Sequence, residues 1–291
     1  MRAHPSAWLV AAVCRTIGIK VVQEVNGPLN DIYIAYPTAI WIKFLLDRLM
    51  QWQYRWAAGL IAVTPGLSDW LTALTLSKIP IIVIPNGANV RLFSPEAKNA
   101  IQLPEDFVVF VGAEAPWHDV PLILEAIALP QWPRTTSLVF VGPCSENSAA
   151  RLAAAKDPRI RLIGRTPYPD VAGIVAKSRA ALIIIADLEA RGATGVCPIK
   201  MFEAMACGVP VIATALPYQA EFIRESGAGI VFPAGDAEGL ALAVAGLTND
   251  RKRAAEMGTR ARNAIRIGHS WDARSKITSD FLHSFLQSRM L

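Results

Sequence analysis

The chain has 291 residues, of which 53% are hydrophobic, so it is long enough to bury a substantial core and to form two domains of ordinary size. Its formal charge of +5 and isoelectric point near 9.1 make it modestly basic. Basic and aromatic residues do not alternate as they would on a nucleic-acid-binding surface, so we exclude that function. The positive charge is instead explained by an acidic substrate or by an anionic membrane face.

Cysteines and histidines are dispersed along the chain, and neither has the spacing of a metal site. We therefore expect reduced thiols, a cytosolic protein and no bound metal. These residues are Cys14, Cys144, Cys197, Cys207, His4, His118, His269 and His283.

Two apolar segments near the start of the chain resemble targeting or membrane sequences. Residues 7–14 follow Arg2 as a weak signal sequence would, but no small-residue cleavage site comes after them, so we predict a first helix. Residues 32–50 are interrupted by a proline and three charged residues. This interruption predicts an amphipathic helix rather than a membrane span.

Short β-branched runs alternate with segments of helical periodicity along most of the chain. Continuous apolar strands joined by crossover helices indicate parallel sheets with both faces covered, so we predict an α/β protein. The predicted strands lie at 20–25, 59–63, 79–85, 107–112, 137–142, 160–165, 180–186, 209–214 and 229–233, and the predicted helices include 119–129, 146–156, 168–178, 217–225 and 271–291.

The predicted strands divide the chain unequally. Residues 89–269 hold six of them, enough for a complete doubly wound domain, whereas residues 1–88 hold only three. A sheet of three parallel strands buries little apolar surface. The first domain is therefore expected to be truncated or to depend on a partner, with a linker near 85–100.

The stretch CPIKMFEAMACGVPVIAT, residues 197–214, predicts a short helix between a glycine-containing loop and an apolar strand. Pro198 suits the first helical position and Gly208 suits the left-handed stop, which places this helix at 198–207. Lys200 lies in its first turn, where the helix dipole disfavours a cation. A bound anion would remove that conflict.

The loop ahead of this helix, residues 189–197, supplies a means of binding an anion. Its glycines allow backbone amides to converge at the helix start, an arrangement that binds phosphates without side chains. The predicted donor contacts in this loop are Thr194, Gly195 and Val196. An apolar strand leads into the loop, so the site is expected at the carboxyl end of a parallel sheet.

Glu203 lies three residues after Lys200 and falls on the same helix face. Its carboxylate can accept hydrogen bonds from two vicinal hydroxyls, as on a ribose. Together the two residues predict a nucleoside diphosphate held at this helix. The alternative is a surface ion pair between Lys200 and Glu203, which would stabilise the helix by only a few tenths of a kcal/mol.

A second strand–glycine–loop–helix segment, residues 111–126, is predicted to contribute to the same site. Gly112 permits close approach of the backbone, and His118 stands just before the helix, where it would contact a phosphate or a sugar. The alternative for His118 is a capping or packing role.

Six sequence elements, in this order and spacing, resemble the GT-B glycosyltransferases of the large retaining family 4. They are VVQEVNGP (21–28), LIAVTPGLSDWL (60–71), VIPNGANVRLFSP (83–95), FVGAEAPWHDVPLILEA (110–126), PIKMFEAMACGVPVIAT (198–214) and SW (270–271). The resemblance runs from about residue 3 to the end of the chain. It implies two Rossmann-like domains, with nucleotide-sugar bound by the C-terminal one and acceptor by the N-terminal one, and a last helix, 270–291, that returns to the N-terminal domain.

The resemblance also implies roles for individual residues. Glu203 matches the second glutamate of the family's Glu-x7-Glu pattern, which holds the ribose, whereas the first glutamate would fall at Gly195 and is missing. The arginine and lysine that commonly hold the diphosphate would fall at Ala113 and His118, and neither is retained. Asn26 stands where many members place a histidine near the transferred sugar. The strand and glycine-rich loop with which members normally begin are absent from the front of the chain.

The family implies transfer of a sugar from UDP or GDP to a glycan or lipid-linked acceptor with retention, without metal or cofactor and without an identified catalytic side chain. The leaving diphosphate itself would assist deprotonation of the acceptor. Segment 32–57 would either rest on the cytoplasmic membrane face or pack within its domain. Two rival functions stay open: a nucleotide-sugar 2-epimerase, and a truncated module that binds nucleotide without transfer. The chain would be a fragment, or another polypeptide would supply the missing front.

Overall fold

The computed structural model describes residues 1–113, 115–143 and 157–287, and over these it is an α/β structure with two parallel sheets, as predicted. All nine predicted strands are present, while the predicted helix at 146–156 lies outside the described residues. The strands are β1 (Val22–Val25), β2 (Gly59–Ala62), β3 (Ile81–Val83), β4 (Phe107–Val111), β5 (Ser137–Val141), β6 (Ile160–Gly164), β7 (Ala180–Ile183), β8 (Val211–Thr214) and β9 (Gly229–Phe232). The α-helices are α1 (Trp8–Thr16), α2 (Asn30–Ala35), α3 (Lys43–Trp56), α4 (Pro65–Thr75), α5 (Val120–Ala128), α6 (Tyr168–Lys177), α7 (Glu189–Thr194), α8 (Ile199–Ala206), α9 (Gln219–Ser226), α10 (Ala237–Asn249), α11 (Arg251–Gly268) and α12 (Trp271–Gln287).

The chain forms two compact units, each assembled from separate segments. The first unit comprises Met1–Asn86, Leu188–Cys197 and the C-terminal segment from Asp272. The second unit comprises Gly87–Asp187 and Pro198–Trp271. Segment Leu188–Cys197 therefore belongs to the first unit, although it lies within residues 89–269, which the sequence analysis assigned to the second domain.

The first unit is built on a parallel sheet in the order β1-β2-β3. The central strand β2 is completely buried, since its β-branched and aliphatic side chains are covered on both faces. The last helix, α12, packs on this sheet: a Cβ at Gly59 would meet the ring of Phe285 at 2.5 Å, and Lys20 donates to the Phe285 carbonyl at 2.7 Å.

The prediction of one amphipathic helix over 32–50 is wrong. Helix α2 ends at Ala35, a 3-10 helix covers Pro37–Ile42, and α3 begins at Lys43. Tyr36, just before the proline, has φ −131° and ψ 79°, outside the helical region. Proline disfavours the helical conformation of the residue before it and donates no amide hydrogen bond, which explains the break. No helix in the described part of the chain has the length and apolarity needed to cross a bilayer.

The second unit holds a six-stranded parallel sheet in the order β6-β5-β4-β7-β8-β9. The chain runs outward from β4 to β6 on one side and then outward from β7 to β9 on the other. The strand order therefore reverses between β4 and β7, and in such sheets ligands bind in the crevice at the carboxyl ends of these strands. The loops after β4 and β7 are the ones that the sequence singled out.

Helix α8 is fixed by close packing against α11. A Cβ at Gly258 in α11 would overlap the carbonyl oxygen of Gly208, which follows α8. Gly208 has φ +72°, so it ends the helix in the left-handed conformation as predicted. Two glycines thus let the end of α8 lie against the backbone of α11.

Replacement of Gly258 with alanine should destabilise the protein, because the new methyl group meets a backbone carbonyl that cannot rotate away. We expect a loss of about 1–3 kcal/mol, typical of overpacking, seen as a lower melting temperature. Gly246→Ala is the control, since its Cβ would meet only Ile230 Cδ1 at 3.9 Å. That change lies inside α10 and should stabilise by about 0.5–1 kcal/mol. Equal melting temperatures for the two variants would contradict the packing argument.

Candidate functional site

The candidate site lies where β4 and β5 end in glycines of positive φ. Gly112 has φ +145° and Gly142 has φ +139°. A Cβ at Gly142 would overlap the carbonyl oxygen of Gly112, so the two strand ends approach more closely than side chains would allow. A Cβ at Gly112 would lie 3.4 Å from His118 Cε1 and 3.6 Å from Lys200 Nζ. The structure therefore brings together three of the predicted donor residues.

His118 is held in one tautomer by the loop that follows β4. Its Nδ1 lies 2.9 Å from the carbonyl oxygen of Ala113. A carbonyl only accepts hydrogen bonds, so Nδ1 carries the proton and Nε2 of the neutral ring is an acceptor. Lys200 Nζ lies 3.0 Å from that Nε2 and is therefore the donor in this contact. The imidazole thus orients the ammonium group.

Phe110 supplies the second contact of the Lys200 ammonium. Nζ stands 4.1 Å from the centroid of this fully buried ring, in the position of a cation–π interaction. Phe110 is in turn stacked on Phe140, with ring centroids 4.6 Å apart. Phe110 and Phe140 were predicted only as members of two strands, and the contact of Phe110 with the lysine was missed.

No carboxylate among the described residues forms an ion pair with Lys200. Burial lowers the pKa of Lys200 to about 7, because desolvation penalises the charged form and its neighbours are a neutral ring and an imidazole. The surface ion pair with Glu203 considered above is absent. Lys200 is thus a desolvated cation without a counter-charge, which an incoming anion would provide.

Glu203 is buried and points towards the same sheet. Lys200 and Glu203 both line a small cavity of about 10 Å³ against β4 and β7. Tyr168 donates a hydrogen bond to Oε1 of Glu203, whereas Oε2 makes no hydrogen bond with the described residues. Burial raises the pKa of Glu203, and the hydrogen bond from Tyr168 opposes this shift. One carboxylate oxygen therefore stays available for a ligand hydroxyl.

Tyr168 is a further site residue that sequence reasoning missed. Burial raises its pKa, and so do the hydrogen bond and the charge of Glu203. Its ring packs edge-on against Phe93 at a centroid distance of 5.1 Å. Its contact with Glu203 spans 35 positions and leaves no spacing signal in the sequence.

Helix α8 differs slightly from the prediction. It covers Ile199–Ala206, and Pro198 is its N-cap residue rather than its first helical residue, with φ −74° and ψ 128°. Lys200 still lies in the first turn, and no acidic residue is present there to satisfy the dipole.

The predicted glycine loop at 189–197 is instead mostly helical, since α7 covers Glu189–Thr194 and belongs to the first unit. None of its six residues has a positive φ, whereas Gly195 after it has a φ of 75°. The Gly195 amide donates to the Arg191 carbonyl at 2.9 Å, and the Thr194 carbonyl accepts from the Thr64 hydroxyl at 2.5 Å. Val196 is buried. Donor binding by Thr194, Gly195 and Val196 stays a prediction.

Asn26 lies in the first unit, after β1. Its Nδ2 donates to Glu24 Oε1 at 2.8 Å, and its Oδ1 is buried without a hydrogen-bond partner in the described part of the chain. An unpaired buried amide oxygen is costly. The predicted role of Asn26 near the sugar is untested.

Replacing Lys200 with methionine should raise stability in a pH-dependent way. The folded-state pKa of about 7 lies below the value of about 10.4 for an unfolded lysine. Between these values the unfolded chain binds more protons, so wild-type stability rises with pH. The Lys200→Met variant should therefore exceed the wild-type melting temperature most below pH 7, and its advantage should shrink towards pH 10.

The matched control is Lys177→Met, because Lys177 is exposed at the end of α6. Its melting temperature should differ from that of the wild type by a nearly constant amount across this range. A constant difference for Lys200→Met as well would show that the Lys200 ammonium is not desolvated.

Comparison with known proteins places this site in a family. Residues 105–250 match the family described as glycosyl transferases group 1. The phosphatidyl-myo-inositol mannosyltransferase of Mycobacterium leprae is 31% identical over 211 residues, which cover 70% of this chain and 54% of that protein. The chain thus spans about half the length of this curated relative.

Solved structures agree in fold. Sucrose-phosphate synthase of Thermosynechococcus elongatus superposes with a TM-score of 0.77 at 17% identity, covering 97% of this chain and 72% of that one. Anabaena HepE in complex with UDP gives a TM-score of 0.74 at 16% identity, covering 97% and 77%. The chain has the GT-B type of fold with a smaller first sheet, and it belongs to the group 1 glycosyl transferases, family 4.

Proposed function

We propose that this chain takes part in transferring a sugar from a UDP- or GDP-sugar to a glycan or lipid-linked acceptor, with retention of configuration. The observation that carries the proposal is the ammonium of Lys200, which has no counter-charge among the described residues and lies beside Gly112 and His118 at the reversal point of the second sheet. Two relatives add support, since one is named a mannosyltransferase and another was solved with UDP.

The diphosphate would lie against Lys200, where a negative charge favours the charged form of the lysine and reverses the effect of burial. His118 would keep orienting the ammonium through Nε2. Negative charge grows on the diphosphate as the sugar leaves, so a desolvated cation stabilises the transition state more than the ground state. The chain would thus act by electrostatic stabilisation and positioning.

The ribose would lie against Glu203. Its free Oε2 accepts one hydroxyl, and displacement of the Tyr168 hydroxyl would free Oε1 for the second. Thr194, Gly195 and Val196 are proposed as further donor contacts, and Asn26 as a contact of the transferred sugar.

Titration calorimetry with UDP and with GDP tests this proposal. Lys200→Met removes the cation while keeping most of the length of the side chain, and Glu203→Gln keeps an acceptor for Tyr168 while removing the charge. Each should weaken binding of the preferred nucleotide about tenfold or more, as expected for loss of a hydrogen bond to a charged group. Lys177→Met is the control and should bind as the wild type does.

A second measurement separates transfer from binding. Release of UDP or GDP from UDP-glucose and GDP-mannose is followed in the wild type and in Lys200→Met, with about a tenfold slower rate expected in the variant. Nucleotide binding without release would favour the rival function of a binding module, which the missing basic residue at Ala113 supports. Absence of nucleotide binding would overturn the proposal.

The acceptor is proposed to lie at a membrane, with the chain bound peripherally at the cytoplasmic face. The 3-10 helix Pro37–Ile42 and the start of α3 expose large apolar side chains, of which Trp41 is 88% and Phe44 75% accessible. Consecutive residues of a helical segment point in different directions, so a flat protein partner would not cover them all, whereas a bilayer interface surrounds them. The guanidinium of Arg48 lies 5.2 Å from the Phe44 ring, which adds a cation at the same place. The exposed apolar side chains are Tyr36, Ile40, Trp41, Ile42, Phe44 and Leu45.

Sedimentation with phosphatidylcholine vesicles that contain phosphatidylglycerol tests the membrane contact. The wild type should co-sediment with the vesicles. The double variant Trp41→Ser, Phe44→Ser should bind them at least about fivefold more weakly, because two interfacial aromatic anchors are lost. Leu242→Ser is the control, since Leu242 is a 54% exposed apolar residue of the second unit. Equal vesicle binding by the double variant and by Leu242→Ser would contradict a membrane role for residues 36–45.

A further inference from the structure

Helices α6 and α8 of the second unit meet along one face of each. The Tyr168 hydroxyl, at the start of α6, donates to Oε1 of Glu203 in α8. Four residues further along both segments, Cys207 Sγ lies 3.8 Å from the carbonyl oxygen of Ala172. Residues four apart share a helix face, so the two contacts repeat along the same pair of faces. The register of the two helices therefore places Tyr168 opposite Glu203.

The main chain at the start of α6 is held in place on both sides. Tyr168 stands between Pro167 and Pro169, and the ring of each proline restricts its φ angle. Further along the helix, a Cβ at Gly173 would overlap the carbonyl oxygen of Lys98, so α6 lies directly against the main chain of that segment. The main chain at Tyr168 is thus fixed, and only its side chain can leave the contact.

The side chain of Tyr168 is less confined than the carboxylate that it contacts. Tyr168 is 50% exposed, whereas Glu203 is only 6% exposed. The Tyr168 ring packs edge-on against the buried Phe93, with the ring centroids 5.1 Å apart. Rotamers of exposed side chains interconvert on short timescales. Tyr168 can therefore turn towards solvent while the buried Glu203 stays in place.

Tyr168 pairs a carboxylate that burial would otherwise leave unsatisfied. Among the residues that the structure describes, it is the one that donates a hydrogen bond to the Glu203 side chain. Burial raises the pKa of Glu203 and this bond lowers it, so the hydroxyl favours the ionised form of the carboxyl group. A hydroxyl that donates to one carboxylate oxygen is also what a ribose supplies. The tyrosine and a ribose would thus make the same contact.

We propose that the Tyr168 hydroxyl replaces a missing ribose hydroxyl on Glu203 and so determines how strictly the site distinguishes ribose from deoxyribose, an inference that rests on the proposed function. With a ribonucleotide, two ribose hydroxyls occupy Oε1 and Oε2, and Tyr168 turns away. With a nucleotide that lacks one hydroxyl, the other binds Oε2 and Tyr168 keeps Oε1 paired. A site rejects an analogue that lacks a hydroxyl when its own buried polar group is left unpaired. Tyr168 removes that penalty, so the wild type tolerates the analogue.

Titration calorimetry on the full chain compares the preferred nucleotide, UDP or GDP, with its 2′-deoxy and 3′-deoxy analogues. In the wild type, at least one analogue should bind within about threefold of the ribonucleotide, because Tyr168 replaces the missing hydroxyl. In Tyr168→Phe, which removes only the hydroxyl, the same analogue should bind about tenfold more weakly than the ribonucleotide, since it leaves an oxygen of a charged group unpaired. Strong discrimination by the wild type against both analogues, or an equal ratio in the two proteins, would each overturn the proposal.

The matched control is Tyr33→Phe, which removes the same kind of hydrogen bond in the first unit. The Tyr33 hydroxyl donates to Oδ1 of Asp47 at 2.6 Å. This variant should keep the wild-type ratio of ribonucleotide to deoxynucleotide affinity. A ratio that rose in Tyr33→Phe as much as in Tyr168→Phe would show that the effect does not come from the contact with Glu203.

Carbon-13 NMR of the wild type, labelled at tyrosine Cζ, tests the proposal without a variant. The chain has five tyrosines, and the Cζ shift follows the hydrogen bonding of the hydroxyl. One resonance should shift on saturation with the ribonucleotide and keep its ligand-free position with the tolerated deoxy analogue. If no resonance behaves in this way, Tyr168 does not exchange places with a ribose hydroxyl.

The outcome is distinguishable from that of the proposed function. Binding of UDP or GDP by the wild type tests the donor site by itself. Nucleotide binding with the same ratio in the wild type and in Tyr168→Phe would refute the role of Tyr168 and leave the donor site standing. Absence of nucleotide binding would overturn both.

Discussion

The desolvated ammonium of Lys200 is the constraint on which the second unit's site depends. Its cation–π contact with Phe110 contributes about 2 kcal/mol, whereas removing a cation from water costs several kcal/mol. Desolvation is therefore a larger effect than the cation–π contact, and it lowers the pKa of Lys200 to about 7. An anion that entered this site would meet a cation whose cost of dehydration has already been met in folding.

The position of Lys200 requires neighbouring main-chain segments to approach more closely than side chains would allow. Gly112 and Gly142 let the ends of β4 and β5 come together, and Gly208 lets α8 end against Gly258 of α11. The four glycines fix the position of α8 relative to the sheet edge. The lysine and the glutamate of that helix can then reach the carboxyl ends of the strands, which is where this class of sheet binds ligands.

The strands and the residues of α8 could be predicted because their signals are local: β-branched runs, a proline before a helix, and a glycine after it. The helical turn at Glu189–Thr194 was missed because two glycines in the segment outweighed its helical neighbours, and the break at Pro37 because an apolar run masked it. Tyr168 and Phe110 could not be predicted as site residues. Their roles come from contacts with Glu203 and Lys200 that tertiary packing creates.

The excursion of Leu188–Cys197 has a consequence for how the protein can be divided. The polypeptide passes between its two units at residues 86, 187, 197 and 271, so no single cleavage separates them. A contiguous fragment, 87–271, would carry this segment without Asp31, Thr64 and Asn86, which bind Arg191, Thr194 and Cys197 in the whole chain. The two units are therefore interwoven in the chain order, and each is complete only as part of the same polypeptide.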